Sequence, residues 1–115
     1  MAREIDRAEL LERLDAGEVT LLDAQGAGWF EKEHLPGAIR GRLDDPESTI
    51  AELGNATDRE IVVYCSSDTC QGSALAASLL EGRGYTNVMR YTAGKADWIQ
   101  AGLPIEGAAV SRLQT

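Results

Sequence analysis

The sequence predicts an α/β fold, in which a central, mainly parallel sheet of about five strands carries helices on both faces. Strand-like and helix-like segments alternate along the chain, and this order favours parallel strands joined by helical crossovers. Residues 60–64 (EIVVY) are mostly apolar and β-branched without alternation, which is typical of a central strand covered on both faces. Residues 71–81 are rich in Ala and Leu and predict a helix. Its expected apolar face consists of Leu75, Ala76, Leu79 and Leu80.

The other elements are predicted from their boundary residues. Asp6 is placed to cap a helix that ends at Gly17, and the strand that follows over residues 19–22 ends at Asp23. The remaining elements are predicted as a short helical turn over 29–33, a short strand at 38–39, a helix over 46–54, a strand over 87–91 and a helix over 93–100.

Length and composition limit the classes of protein to which the chain can belong. Its 115 residues suffice for one hydrophobic core, so a single domain over residues 1–115 is expected. The net charge of −8 repels nucleic-acid phosphates and anionic membrane surfaces, so neither is an expected partner. Because no segment resembles a membrane span or a secretory signal, a cytoplasmic protein is expected. Two cysteines and one histidine predict neither a disulfide scaffold nor a metal site, and no cofactor is expected.

Asp23 ends one predicted strand, and Cys65 directly follows another. Both therefore lie at the carboxyl end of a strand, where ligands collect in open parallel sheets. The reactive form of cysteine is the thiolate, and its pKa falls close to a helix N-terminus. Residues 66–72 lead from Cys65 into the next helix and carry backbone N–H groups that can stabilise an anionic sulfur. Asp68 in this loop acts in the opposite direction if it points inward. The sequence therefore indicates Cys65 as a candidate nucleophile.

Each of these residues also has a purely structural interpretation. A free cysteine often only fills space in a core, and this interpretation stays open for Cys65 and is favoured for Cys70. For Asp23, accepting backbone N–H bonds at a strand end is favoured over a role as general base. His34 is expected to contact backbone in a turn. The aromatic residues expected in the core or in a pocket wall are Trp29, Phe30 and Trp98.

Several short segments of the chain carry recognisable motifs. Residues 21–25 (LLDAQ), 29–30 (WF), 33–38 (EHLPGA) and 61–65 (IVVYC) are followed by the segments 84–88, 93–98 and 102–105. The order and spacing of these motifs resemble those of rhodanese-like domains, in which the strand matching 61–65 delivers the catalytic cysteine. The resemblance extends over roughly residues 3–107 and leaves residues 108–115 as a C-terminal tail.

The resemblance implies a three-layer sandwich and a sulfurtransferase activity. In this family the cysteine thiolate takes sulfane sulfur from a donor such as thiosulfate, forms a persulfide and passes the sulfur to cyanide or another thiol. Cys65 is then the nucleophile, and its partner is a small sulfur-donor anion or a persulfide-carrying protein. The chain is expected to be a monomer or a homodimer. The loop residues that would cradle the charged sulfur are Ser66, Ser67, Asp68, Thr69, Cys70, Gln71 and Gly72.

The chain departs from the family pattern in the charge of this loop. Family members commonly carry arginine directly after the cysteine and near the end of the loop, where this chain has Ser66 and Gly72. The loop is also two residues longer than the usual form. It resembles a subgroup with the pattern Cys-x4-Cys-x-Gly, which Cys65, Cys70 and Gly72 match.

Residues outside the loop are candidates for a supporting role. Asp23 stands at the neighbouring strand end, and Gln25 replaces the arginine that the family carries two residues after it. The cation that the loop lacks can come from Lys95 or Arg90, near the end of the following strand, although solvent-exposed surface is the favoured interpretation of Arg90.

Three other functions stay open for the same residues. Cys70 could form a disulfide with Cys65 and so make a redox relay, which requires their Cα atoms within about 7 Å. A phosphatase of this fold needs the pattern Cys-x5-Arg, and Gln71 stands at the arginine position, so this activity is not favoured. The third is a non-catalytic, protein-binding module of the same fold, which the missing loop cations support.

Overall fold

The structure, a computed structural model, describes residues 2–17, 19–25, 27–42, 45–54, 56–66 and 71–107. Strands and helices alternate along this part of the chain. In chain order they are β1 (Arg3–Ile5), α1 (Arg7–Ala16), β2 (Val19–Asp23), α2 (Ala27–Lys32), β3 (Ile39–Arg40), α3 (Pro46–Leu53), β4 (Glu60–Tyr64), α4 (Gly72–Gly82), β5 (Val88–Tyr91) and α5 (Gly94–Gln100).

The strands form a single five-stranded sheet, and every described pair of neighbouring strands is parallel. Their spatial order is β1-β5-β4-β2-β3, which places β4 in the centre. Residues 61–64 of β4 are fully buried, as the unbroken apolar run predicts for a strand covered on both faces. The predicted parallel sheet with β4 at its centre is therefore confirmed.

The two faces of the sheet pack against different helices because successive side chains of a strand point to opposite sides. Val63 lies on the side of α3 and α4, in a cluster that also contains Leu53 and Leu80. Val62 lies on the side of α1 and α5, in a cluster that contains Leu10 and Trp98. The sheet is thus the middle of three layers, as predicted.

Strand β1 is the element that the sequence analysis missed. Its residues pair with β5 at one edge of the sheet, and Ile5 is its one buried side chain. A three-residue strand with a single buried position has no periodic pattern to detect. Its conformation depends on the backbone groups that the edge of β5 offers.

The helix boundaries follow the predicted signals within one or two residues. Asp6 caps α1, with Oδ1 accepting the backbone N–H of Glu9 at 2.9 Å, and Gly17 ends the helix with a φ of 77°. The predicted face of α4 is wrong in part, because Leu75 is 62% exposed. The buried side of that helix follows the helical spacing of Ser73, Ala76, Ala77 and Leu80.

Two further expectations concern the C-terminal tail and membrane-spanning segments. Residues 108–115, the expected C-terminal tail, lie outside the described residues. None of the helices in the described ranges has the length and apolar character needed to cross a bilayer.

Candidate active site

The carboxyl ends of β2, β4 and β5 meet at one edge of the sheet. In the parallel register Asp23 is paired with Tyr64, and Tyr64 with Tyr91. The backbone N–H of Ala24 donates to the carbonyl oxygen of Tyr64 at 2.8 Å, so the ladder continues past the end of β2. Cys65 follows Tyr64 and therefore lies beside the end of β2, which brings the two predicted strand-end residues together.

Cys65 is the first residue after β4 and is buried, with an exposed fraction of 1%. Its Sγ lies 3.8 Å from the carbonyl oxygen of Ala24. In the structure Cys65 is disulfide-bonded. A disulfide sulfur has no proton to lose, so Cys65 is not the anionic thiolate that the sequence predicts. Cys70, the other cysteine of the chain, lies outside the described residues.

Gly72 allows the first turn of α4 to approach Cys65 closely. A Cβ atom built on Gly72 would lie 2.6 Å from the carbonyl oxygen of Ala24 and 3.3 Å from Sγ of Cys65. The carbonyl oxygen belongs to backbone that is hydrogen-bonded into the sheet, so it cannot move aside as a flexible side chain would. A side chain at this position would therefore push the start of α4 away from the sulfur.

Helix α5 holds the first part of the loop that follows Cys65. The backbone N–H groups of Lys95 and Ala96 donate to the carbonyl oxygens of Cys65 and Ser66 at 2.9 and 2.8 Å, respectively. Gln71 precedes α4 and forms no side-chain cap hydrogen bond. The other residues of the predicted cradle, Ser67, Asp68, Thr69 and Cys70, lie outside the described residues.

Asp23 is fully buried, and three donors engage its carboxylate. Oδ1 accepts the backbone N–H of Gln25 at 2.8 Å. Oδ2 accepts the side-chain amide of Gln25 at 2.6 Å and the hydroxyl of Tyr64 at 2.7 Å. Burial raises the pKa of Asp23 above its ordinary value, while these hydrogen bonds and the charge of Lys95 oppose the shift. The contact with the backbone N–H two residues ahead is that of an Asx turn, which fixes the chain as it leaves β2.

Tyr64 completes this network and is the residue that the sequence analysis did not single out. Its hydroxyl donates to Asp23 and accepts the backbone N–H of Leu35 at 3.0 Å. Burial and the neighbouring carboxylate raise the pKa of Tyr64, so the phenol keeps its proton. In the sequence, Tyr64 looks like one more core residue of a buried strand. The available signal was its position at a strand end, next to the strand that ends at Asp23.

Lys95 lies in the first turn of α5, and its side chain reaches the residues at the end of α2. Its side chain is 8% exposed, and Nζ lies 3.3 Å from Oε1 of Glu33. The same nitrogen lies 5.8 Å from the centre of the Trp29 ring, and Nζ of Lys32 lies 5.5 Å from it. Trp29 itself is 58% exposed, so a place in the core is wrong for this residue, whereas Trp98 is buried in the core as predicted.

Arg90 is half-buried in β5, and the favoured solvent-exposed position is wrong. Nε and Nη2 each lie 3.4 Å from Oγ of Ser73, in the first turn of α4. Arg90 pairs with Val63 in the sheet register and so lies on the side of α4. The guanidinium is thus directed along the sheet toward the helix that contacts Cys65.

His34 contacts backbone in the turn after α2, as the sequence predicts. Nδ1 lies 2.7 Å from the carbonyl oxygen of Phe30, and the two rings stack with their centres 4.0 Å apart. The backbone of His34 pairs with that of Glu106 in an antiparallel bridge. These contacts tie Glu106 to the turn, and none of them involves Cys65.

A comparison with known protein families decides where the chain belongs. The rhodanese-like domain family matches residues 6–101, most of the chain. The chain is a rhodanese-like domain.

Three curated relatives resemble this rhodanese-like domain. The sulfurtransferase of Allochromatium vinosum is 30% identical over 106 residues, which is 91% of this chain and 95% of that protein. The HTH-type transcriptional regulator Rv0324 of Mycobacterium tuberculosis is 40% identical over 92% of this chain and 46% of the regulator. The putative sulfur carrier protein YrkF of Bacillus subtilis is 30% identical over 83% of this chain and 50% of that protein. The chain thus spans about half the length of the last two relatives.

Solved structures confirm the fold. The rhodanese-like domain of the Alr3790 protein from Anabaena is 31% identical with a TM-score of 0.80, and the match covers 97% of this chain and 84% of that domain. A rhodanese with anions from E. coli is 24% identical with a TM-score of 0.63, covering 78% of this chain and 99% of that one. The second similarity shows a shared fold alone.

The chemistry available at this edge of the rhodanese-like domain follows from these contacts. In the described part of the chain, no group of three or more His, Cys, Asp or Glu residues is arranged to hold a metal ion. The hydroxyl of Tyr64 donates a hydrogen bond to the carboxylate of Asp23, and Lys95 forms an ion pair with Glu33. Cys65 is the nucleophile candidate among the described residues, provided that its disulfide is reduced.

Proposed function

We propose that this rhodanese-like domain is a sulfurtransferase that carries sulfane sulfur as a persulfide on Cys65. The observation that supports the proposal most is the position of Cys65 at the carboxyl end of β4, packed against the first turn of α4. Backbone N–H groups at the start of a helix favour negative charge, which both a thiolate and a persulfide carry. The similarity to the Allochromatium vinosum sulfurtransferase over nearly its whole length supports the same chemistry.

The proposed reaction has two steps, each of which moves one sulfur atom. The Cys65 thiolate attacks the outer sulfur of thiosulfate, the S–S bond of the donor breaks, and sulfite leaves with the electron pair. In the second step an acceptor, cyanide or a thiolate, attacks the outer sulfur of the persulfide. The S–S bond to Cys65 then breaks, and its electron pair restores the thiolate. A protein-bound persulfide can replace thiosulfate as donor, with a thiolate as the leaving group.

Reduction has to precede this cycle. Cys65 is disulfide-bonded and 1% exposed in the structure, so neither a thiolate nor access for a donor exists in that state. A dithiol reductant attacks the disulfide and leaves Cys65 as a thiol. The structure accordingly corresponds, in this proposal, to an oxidised resting form of the enzyme.

The proposal is tested by following thiocyanate formation from thiosulfate and cyanide after reduction of the protein. We expect turnover by the wild-type chain and none above background by Cys65→Ser, with Cys70→Ser as the matched control that keeps its first-step chemistry. A reduced, folded wild-type protein that accepts sulfur neither from thiosulfate nor from a persulfide donor would contradict the proposal and favour a non-catalytic module.

A second candidate function, a redox relay between Cys65 and Cys70, is favoured by the disulfide-bonded state of Cys65. In this relay the Cys70 thiolate attacks the inner sulfur of a Cys65 persulfide, a disulfide forms, and hydrosulfide leaves with the electron pair. The test is sulfide release from the persulfidated protein when no acceptor is added. The relay predicts release from the wild type but not from Cys70→Ser, whereas equal release from both would exclude it.

A further inference from the structure

The two cations near the Cys65 edge differ in how their charge is used. Lys95 is buried, and its ammonium group lies 3.3 Å from the carboxylate of Glu33, so its charge is already balanced within the fold. The ammonium group also lies over the face of the exposed Trp29 ring. A cation that binds a substrate anion has to exchange its present partner for that anion, and Lys95 would have to give up the ion pair that balances its buried ammonium group. Lys95 is therefore poorly suited to bind a donor.

Arg90 has a neutral partner instead. Two of its three nitrogens, Nε and Nη2, each lie 3.4 Å from the hydroxyl oxygen of Ser73, which is a long contact. Among the ion pairs found in the described part of the chain, none involves Arg90. In a chain with a net charge of −8, a half-buried guanidinium without a carboxylate partner in the described residues is unusual. Among the described residues, no carboxylate therefore balances the charge of Arg90 in an ion pair.

The position of Arg90 relates it to the sulfur of Cys65. Residues 61, 63 and 65 alternate onto the side of the sheet that α4 covers, and Arg90 is the register partner of Val63 on that same side. Gly72 lies so near the sulfur that a Cβ atom built on it would be 3.3 Å away, and the next residue, Ser73, contacts the guanidinium. Consecutive Cα atoms are about 3.8 Å apart, so the sulfur and the guanidinium flank one turn of α4.

We propose that Arg90 binds the anionic group of the sulfur donor and selects donors in which, as in thiosulfate, the transferable sulfur is joined to a sulfur oxyanion that leaves as sulfite. The planar guanidinium can donate two parallel N–H bonds to two oxygens of such a group. The hydroxyl of Ser73 offers it only one oxygen, so an oxyanion is the better acceptor. During transfer the electron pair of the broken S–S bond moves onto the departing sulfite, and the guanidinium stabilises this added charge. This inference rests on the proposed sulfurtransferase function and assigns to β5 the cation that the loop lacks.

The test compares two donors in the reduced protein. Thiosulfate carries the oxyanion, whereas the persulfide of 2-mercaptoethanol carries transferable sulfur without one. For Arg90→Gln we expect the KM for thiosulfate to rise roughly tenfold to hundredfold, the range for a lost charge-assisted hydrogen bond. The rate with the 2-mercaptoethanol persulfide should change less than about twofold, and Arg90→Lys should recover part of the thiosulfate KM.

Arg83→Gln is the matched control, because it removes the same charge from the exposed end of α4, where Arg83 pairs with Glu47. It should leave both donors unaffected, which separates a local contact from a change in net charge. Protection of Cys65 from iodoacetamide by sulfite gives a second readout that needs no turnover, and the protection should weaken in Arg90→Gln and partly return in Arg90→Lys.

The outcomes separate this inference from the proposed function. Equal effects of Arg90→Gln on both donors, or an equal effect of Arg83→Gln, would overturn the role of Arg90 while leaving persulfide transfer in place. A wild-type protein that accepts sulfur from neither donor would contradict the proposed function itself. If Arg90→Gln does not fold, the thiosulfate KM of Arg90→Lys and its protection by sulfite decide the matter, and wild-type values in both would overturn the role.

Discussion

The phenolic oxygen of Tyr64 lies 2.7 Å from Oδ2 of Asp23, and this contact joins the ends of β4 and β2 directly beside Cys65. The same phenol accepts the backbone N–H of Leu35, so three separate segments meet on one oxygen atom. All three partners are buried. The geometry of the sheet edge next to Cys65 therefore depends on the hydroxyl of Tyr64, which is the one polar side-chain group in the apolar run of residues 61–64.

Replacing Tyr64 by phenylalanine should lower the free energy of unfolding by about 1–3 kcal/mol, because it leaves a buried N–H and a buried carboxylate oxygen short of a partner. Urea unfolding measures the change. Tyr85→Phe is the matched control, since Tyr85 is also buried but donates to the carbonyl oxygen of Gly54, away from Cys65. Sulfur transfer should slow in Tyr64→Phe and not in Tyr85→Phe. A Tyr64→Phe variant as stable and active as the wild type would show that the network is dispensable.

Much of the fold follows from the sequence because its signals are local. Asp6 and Gly17 mark the ends of α1 through backbone geometry alone, and the apolar run of residues 60–64 identifies the central strand. Strand β1 could not be found in this way, because two of its three side chains are exposed and its pairing depends on the distant β5.

The candidate site was predictable in position but not in its electrostatics. Strand-end placement indicated Cys65 and Asp23 because parallel strands expose their carboxyl ends together. The contacts of Arg90 and Lys95 were not predictable, since each depends on which residue of another element lies opposite. Likewise, the oxidation state of Cys65 is a property of the folded chain and its surroundings that no local pattern encodes.

Gly72→Ala should destabilise the protein and impair sulfur transfer. The added Cβ would lie 2.6 Å from a backbone oxygen, and relieving such an overlap typically costs about 1–3 kcal/mol. Gly82→Ala is the control in the same helix, where nothing lies within 4 Å of an added Cβ. It should be neutral or stabilising by up to about 1 kcal/mol, because alanine favours helix over glycine. Equal stability of the two variants in urea would refute the close approach of α4.

Acid should destabilise the protein through Glu9, which bridges Arg3 and Arg13. These two arginines lower the pKa of Glu9 from 4.5 to about 2. A lowered pKa in the folded state means that the stabilisation is present above pH 4.5 and is lost as the pH falls toward 2. Glu9→Gln should therefore flatten the fall in unfolding free energy across this window. Glu12→Gln on the same helix is the control, and a wild-type slope in Glu9→Gln would contradict the ion-pair network.

Oxidation should switch the thiol chemistry off. Because Cys65 is disulfide-bonded and buried, the oxidised protein should react neither with iodoacetamide nor with thiosulfate, and a dithiol reductant should restore both reactions. If Cys70 is the disulfide partner, Cys70→Ser should react without the reductant. Alkylation of Cys65 at equal rates before and after reduction, followed by peptide mapping, would contradict this expectation.

The most direct measurement is the intact mass of the reduced protein after exposure to thiosulfate. We predict that the wild type and Cys70→Ser each gain the mass of one sulfur atom, that cyanide removes it, and that Cys65→Ser gains nothing. A sulfur atom retained by Cys65→Ser, or a folded and reduced wild type whose mass stays unchanged with thiosulfate and with a persulfide donor alike, would contradict the assignment of Cys65 as the sulfur carrier.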